Sequence, residues 1–125
     1  MNMQFDILSK KVIGCAIEVH RHLGPGLLES AYCQCLAHEL SICGIQFERE
    51  KNLTVMYKGE NLGSVYRLDF LIENNLIIEV KSVQGLLPIH EAQILTYMKM
   101  QKASAGLLIN FNVPLLKDGL RRFVL

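Results

Sequence analysis

The stretch RLDFLIENNLIIEVKS, Arg67 to Ser82, places three charges inside what otherwise reads as apolar strand. Asp69 stands between Leu68 and Phe70, while Glu79 and Lys81 flank Val80 at the end of Leu76-Ile77-Ile78. Glu73-Asn74-Asn75 has the composition of a tight turn, so the stretch predicts a hairpin with strands over residues 62–72 and 76–82. Residues i and i+2 of a strand share a face, about 7 Å apart. Glu79 and Lys81 therefore share a face and Val80 points away from it. Folding of the hairpin can bring Asp69 beside Glu79, depending on the register.

Two carboxylates held together in a partly buried place repel each other and are poorly solvated. A divalent cation relieves both problems. Magnesium takes oxygen ligands, commonly one or two carboxylates with water and substrate phosphate completing its shell. A lysine beside such a pair can orient or deprotonate a water, or stabilise developing negative charge. The constellation suits hydrolysis of a phosphodiester. The plainer alternative is a solvated strand face carrying a cross-strand ion pair, but such a face should alternate with more polar residues than Leu76-Ile77-Ile78 supplies. A third reading makes Asp69, Glu79 and Lys81 a buried ion-pair network with a purely structural role.

Outward from the hairpin, the pattern changes on both sides. Residues 53–57 read as an earlier strand, preceded by a mostly polar approach over residues 46–51 and followed by the turn Lys58-Gly59-Glu60-Asn61, which gives a three-stranded antiparallel meander. Before it, Val12, Ile13, Ala16, Ile17 and His20 recur at helical spacing within residues 6–23. Leu23-Gly24-Pro25-Gly26 interrupts that helix. A second helix is predicted over residues 27–41, with Leu28, Tyr32, Cys35, Leu36 and Leu40 as its apolar stripe and Gly44 as its stop. After the hairpin, residues 89–101 return to helical spacing. Ala105 to Phe111, AGLLINF, is a continuous apolar run of buried-strand type. The intervening helix is long enough to let that strand join the sheet in parallel. Lys117-Asp118-Gly119 marks a turn before a short last element over residues 120–125.

Composition agrees with a folded chain. Of 125 residues, 50% are hydrophobic and 20% charged, which suits one core and a folded chain rather than a disordered one. No apolar run approaches the ~20 residues that span a bilayer, and the N-terminus lacks the charged and apolar regions of a signal peptide. A cytoplasmic location follows as the expectation, with no membrane partner. Cys15, Cys33, Cys35 and Cys43 form no CxxC pair, so they read as reduced, buried, small hydrophobes. A zinc site combining them with His20, His22 or His38 matches no common spacing. The net charge of +1 is low for a protein that holds nucleic acid by charge alone.

Asp69 followed by Glu79-Val80-Lys81 resembles the signature of the PD-(D/E)xK nucleases, with Leu68-Asp69 where that superfamily often has Pro-Asp. Gly26-Leu27-Leu28-Glu29-Ser30-Ala31-Tyr32 resembles the G-x-x-E-x-x-Y motif of the GxxExxY proteins, a group within it. Leu23-Gly24-Pro25-Gly26, His90-x-x-Gln93-x-x-x-Tyr97 and Gly106 to Phe111 are also similar to this group, so the likeness runs from about Val12 to Arg122. It implies an α/β fold, a single restriction-endonuclease-like αβββαβ domain over residues 1–125 with a mixed central sheet flanked by helices. It implies Asp69 and Glu79 as ligands of magnesium or manganese, the Val80 carbonyl as a third ligand, Glu29 as an added acid and Lys81 as the catalytic lysine. Gln93, Tyr97, Tyr32 and His90 would contact substrate or brace the site. The implied partner is nucleic acid, DNA ahead of RNA, cut to leave a 5′-phosphate and a 3′-hydroxyl.

Spacing agrees with the grouping of these residues. Glu29 and Tyr32 are helical neighbours, and His90, Gln93 and Tyr97 share a helical face. Plainer roles stand beside each: an acid favoured by the helix dipole for Glu29, core packing for Tyr32, Gln93 and Tyr97, and an exposed helix start for His90. His20 and His22 read as structural, with His20 the nearer of the two to the site. The small surface implies help from a homodimer or a partner protein, or a chain that binds nucleic acid or a partner without cutting.

Overall fold

The structure is a computed structural model that describes residues 3–125, without the side chains of residues 3–6, 64 and 65. Two helices come first, α1 (Met3–Leu23) and α2 (Glu29–Ile42). They are followed by strands β1 (Phe47–Tyr57), β2 (Glu60–Ile72) and β3 (Leu76–Lys81), helix α3 (Pro88–Gln101) and strand β4 (Ala105–Asn110). A turn of 3-10 helix (Leu116–Gly119) leads into β5 (Leu120–Val124). The sheet has five strands in sequence order. All neighbours are antiparallel except β3 and β4, which α3 joins in parallel. The architecture is the mixed sheet flanked by helices that the sequence implies, with one helix more at the front of the αβββαβ order and one strand more at its end. No described helix is long and apolar enough to cross a membrane.

The apolar run of β3 is explained by burial on both faces. Leu76, Ile78 and Val80 join Val12, Ala16, Tyr32 and Leu36 in the core beneath α1 and α2. Ile77 joins Ile94, Met98, Leu71 and Leu108 in a second core beneath α3. Each such fully buried aliphatic side chain stabilises the fold by roughly 1.5–3 kcal/mol relative to exposure. Alternation places Glu79 and Lys81 with Ile77, on the α3 face of the sheet. Gly106 on β4 permits the close approach of α3, since a Cβ there would lie 2.8 Å from Met98 Sδ.

Several expectations are corrected. The polar approach to the first strand is itself strand, and β1 begins at Phe47. Its Glu48, Arg49, Glu50 and Lys51 belong on the edge of the sheet, where charge blocks pairing with other chains. Ile17 is 42% exposed because Cys15 and Val19 complete the stripe begun by Val12 and Ala16. Leu28, expected in the stripe of α2, precedes that helix at its N-cap and is 76% exposed. Of the cysteines, Cys15 and Cys33 are buried, Cys35 half-buried and Cys43 exposed, all free.

The chain passes close to the end of β4 at Gly119. A Cβ on Gly119 would fall 2.1 Å from the Asn110 carbonyl oxygen, a backbone atom with no freedom to yield. Gly119→Ala is therefore expected to lower stability in urea unfolding by more than the ~1–3 kcal/mol usual for overpacking. Gly85→Ala, where nothing lies within 4 Å, should change stability little.

Candidate active site

The β2–β3 ladder pairs Ile72 with Leu76, Leu71 with Ile77 and Phe70 with Ile78, and stops there. The next pair in that register is Asp69 opposite Glu79. At this point side chains replace backbone carbonyls as acceptors. The Asp69 N–H donates to Glu79 Oε1 at 3.2 Å, and the Val80 N–H donates to Asp69 Oδ2 at 2.8 Å. The strands part, and the two carboxyls occupy the opening. On the other side of β2, Glu50 faces Asp69 between the pairs Arg49–Phe70 and Lys51–Leu68. Glu50 has a φ of 52°, a left-handed conformation that costs a non-glycine residue ~1–3 kcal/mol. Backbone irregularity on both sides of β2 thus coincides with Asp69.

Burial sets the electrostatics. Glu79 is 6% exposed. Its carboxyl is pushed up to about 8 by burial and then by the Asp69 charge. Asp69 is raised by burial as well, against the lowering effects of the Val80 N–H, a hydrogen bond from Glu79 and the Lys81 charge. Lys81 acts on both acids through its charge, yet no ion pair within 4.0 Å joins it to them among the described residues. The buried ion-pair network entertained from the sequence is therefore not what holds the acids; backbone N–H groups do.

Glu29 arrives from α2. Its Oε2 accepts a hydrogen bond from the Ser82 N–H at 3.4 Å, and the Ser82 hydroxyl donates to the Leu27 carbonyl. Tyr32, fully buried, donates its hydroxyl proton to the Gly24 carbonyl at 2.6 Å and accepts from the Leu27 N–H at 3.1 Å. Its ring stacks on Phe111 with centroids 4.5 Å apart. Gly26 has a φ of 99°, open to glycine and strained for other residues. The glycine, acid and tyrosine of the G-x-x-E-x-x-Y motif thus have distinct mechanical roles: one lets the chain turn, one joins the loop to the end of β3, and one clamps the loop from beneath. Tyr32 braces and does not face outward.

The α3 residues divide. Tyr97 is half-buried over the second core, and its hydroxyl is raised by burial and then by the charges of Glu79, Tyr66 and Asp69, which sets it near the carboxyl pair. Gln93, one turn earlier, is half-buried on the same side of the helix. His90 is committed elsewhere: its Nδ1 accepts from the Leu87 N–H at 3.0 Å, closing the first turn of α3. His20 also lies apart from the acids, with Nε2 donating to the Val113 carbonyl at 2.7 Å.

Sequence reasoning passed over one position that holds the site. Asn110, paired with Lys81 across the β3–β4 ladder, is 2% exposed. Its Oδ1 accepts from the Val83 N–H and its Nδ2 donates to the Val83 carbonyl. The Lys81 carbonyl accepts from the Phe111 N–H. Cys33, one turn after Glu29, is the buried small residue the sequence predicts, and its thiol is pushed up to about 12 by burial and then by the Asp69 charge. A polar residue closing an otherwise apolar run, as in AGLLIN, was the available signal for Asn110.

Among the described residues, no group of three or more His, Cys, Asp or Glu is gathered to hold a metal ion. Glu29 is therefore not part of a three-acid cluster. The donor set that remains, Asp69 with Glu79, fits a divalent cation. Both acids resist ionisation where they stand, and magnesium needs no more than one or two carboxylates from the protein.

Two outcomes follow. Between pH 4.5 and about 8, the folded chain keeps a proton on Glu79 that the unfolded chain has released. Stability of the metal-free protein should therefore fall as pH rises through that window and level off above it. Glu79→Gln should remove this slope and melt higher than wild type at pH 8 and above, because the amide keeps the acceptor for the Asp69 N–H and carries no charge. A flat wild-type profile would contradict the burden assigned to Glu79. Tyr32→Phe leaves the Gly24 carbonyl and Leu27 N–H without their partner, and should cost about 1–3 kcal/mol in urea unfolding.

No curated protein and no solved structure matches the chain significantly. The family model of the PD-(D/E)XK nuclease superfamily matches residues 6–123. That match takes in every element of the fold and both acids of the opened ladder, and the chain belongs to the PD-(D/E)XK nuclease superfamily.

Proposed function

We propose that this chain is a divalent-metal-dependent nuclease that hydrolyses phosphodiester bonds of DNA, with RNA the lesser candidate, and that residues 1–125 work as one nuclease-like domain of the GxxExxY group. The observation that carries the reading is the opened ladder, where two buried carboxyls meet with a lysine two residues beyond. Asp69 and Glu79 would hold magnesium or manganese, with the Val80 carbonyl as the neighbouring backbone ligand. A divalent cation bound there supplies Lewis-acid polarisation of the phosphodiester.

The chain's own groups supply the rest. The N–H groups of Asp69 and Val80 fix the two carboxylates, so little motion is lost when they take up a ligand. Lys81, with no acid within 4.0 Å among the described residues, would stabilise charge building on the phosphate oxygens or orient the attacking water. Its backbone is held by Phe111, and the loop after it by Asn110. Glu29 sits at the end of β3, where it can engage a water on the lysine side. Gln93 and Tyr97 would border the pair from α3, and Tyr32 clamps the loop that leads into Glu29.

A second reading has one observation in its favour. The net charge is only +1 on 125 residues, which leaves little surface for clamping nucleic acid and suits a module that binds nucleic acid or a partner protein without cutting it. Calorimetric titration of chelator-treated protein with manganese separates the two. Saturable binding is expected, lost in Asp69→Ala and in Glu79→Ala while both remain folded. Lys81→Ala should keep the binding and lose cleavage by at least ~10²-fold, the scale of one charge-stabilising donor. Wild-type protein that neither binds manganese nor cuts would favour the binding module, and binding that survives both acid substitutions would move the metal to other residues.

A further inference from the structure

Tyr66 was not singled out by the sequence and takes no part in the mechanism above. It lies on β2, three residues before Asp69, and is 46% exposed. Its ring centroid is 5.7 Å from that of Tyr97 at an interplanar angle of 44°. Tyr97 packs over the core that contains Leu71 and Ile77. Leu68 and Leu71 both belong to that core, so β2 changes face around Asp69, and Tyr66 reaches Tyr97 on the α3 side three residues from the acid. The pull of both acid charges on the Tyr97 hydroxyl agrees with this placement. The contact leaves nearly half of Tyr66 open to solvent.

The charges nearby point the same way. A duplex is held chiefly by cations that neutralise its phosphates. The β1–β2 hairpin, which borders the site, offers few free ones. Lys51 is bridged to Glu48, Arg67 to Glu50, and Arg49 lies over the Phe70 ring. The whole chain carries only +1. Stacking on an aromatic face contributes ~1–3 kcal/mol per base whatever the sequence. A paired base keeps its faces inside the duplex, so only an unpaired base can use such a surface.

We propose that Tyr66 and Tyr97 form a stacking subsite for an unpaired nucleobase, so that the strand reaching Asp69 and Glu79 is single-stranded nucleic acid. The inference rests on reading those acids as a nuclease site, and it adds the class of substrate. The test uses Lys81→Ala protein with magnesium, to limit cleavage, and a short oligonucleotide carrying 2-aminopurine, offered as a single strand and as a duplex. The single strand should bind at least ~10-fold more tightly than the duplex, with 2-aminopurine emission quenched. Adding Tyr66→Leu, which keeps apolar volume without a π face, should weaken single-strand binding about 10-fold. Tyr66→Phe should retain it, and melting temperatures should show all variants folded. Equal affinity for the two forms, or a Tyr66→Leu variant that binds like its parent, overturns the subsite and leaves the nuclease reading standing. Failure to bind either form overturns the nucleic-acid reading and the subsite with it.

Discussion

Two backbone N–H groups, on Asp69 and Val80, take carboxylate oxygens as partners at the point where the β2–β3 ladder ends. An antiparallel ladder that continued would satisfy its donors with carbonyls and leave no room between the strands. Here the donors are satisfied by the acids themselves, so the strands separate without leaving buried N–H groups unpaired. The same bonds that open the sheet fix the carboxyls in the opening. The strained φ of Glu50 on the far side of β2 belongs to the same distortion. What the fold carries at this point is the desolvation of both acids, to which the Asp69 charge adds at Glu79. A cation arriving between them would offset it.

The remaining structure keeps that opening in place. α1 and α2 bury one face of β3 and α3 the other, so the strand cannot shift register without exposing its apolar run. Tyr32 clamps the loop before α2, and Glu29 and Ser82 tie that loop to the end of β3. Asn110 holds the segment after Lys81 with three hydrogen bonds to Val83 and Asn112, and Gly119 must remain small for the chain to pass its carbonyl. Much of the chain beyond the hydrophobic core thus serves to immobilise residues 81–83. Two open clefts lie elsewhere, one of about 450 Å³ beside Cys43 and Glu73 and one of about 560 Å³ beside His20 and Leu116. A site built on an opened strand pair need not coincide with a cavity, because an extended polymer approaches from outside.

The low net charge is consistent with a site of this kind. Ion pairs at the edge of the sheet engage cations that would otherwise bind phosphates, and the half-open Tyr66 against Tyr97 offers an aromatic face whose affinity does not depend on charge.

The amino-acid sequence determined the order of elements and the parallel joining of β4. Periodicity reports which residues are buried, and a helix between two strands sets how they can meet. It also placed Glu79 and Lys81 on one face, since alternation along a strand is a local property, and its motifs grouped Glu29 with Tyr32. Only the tertiary structure decided that Asp69 falls opposite Glu79, because register is set by packing on both faces and not by either strand alone. It likewise decided that Tyr32 points inward to a loop, that His90 closes a helix turn, and that Ile17 and Leu28 stay exposed. The roles of Asn110 and Tyr66 were out of reach of the sequence for the same reason. A hydrogen bond to Val83 and a ring contact with Tyr97 are long-range events, and no spacing along the chain encodes them.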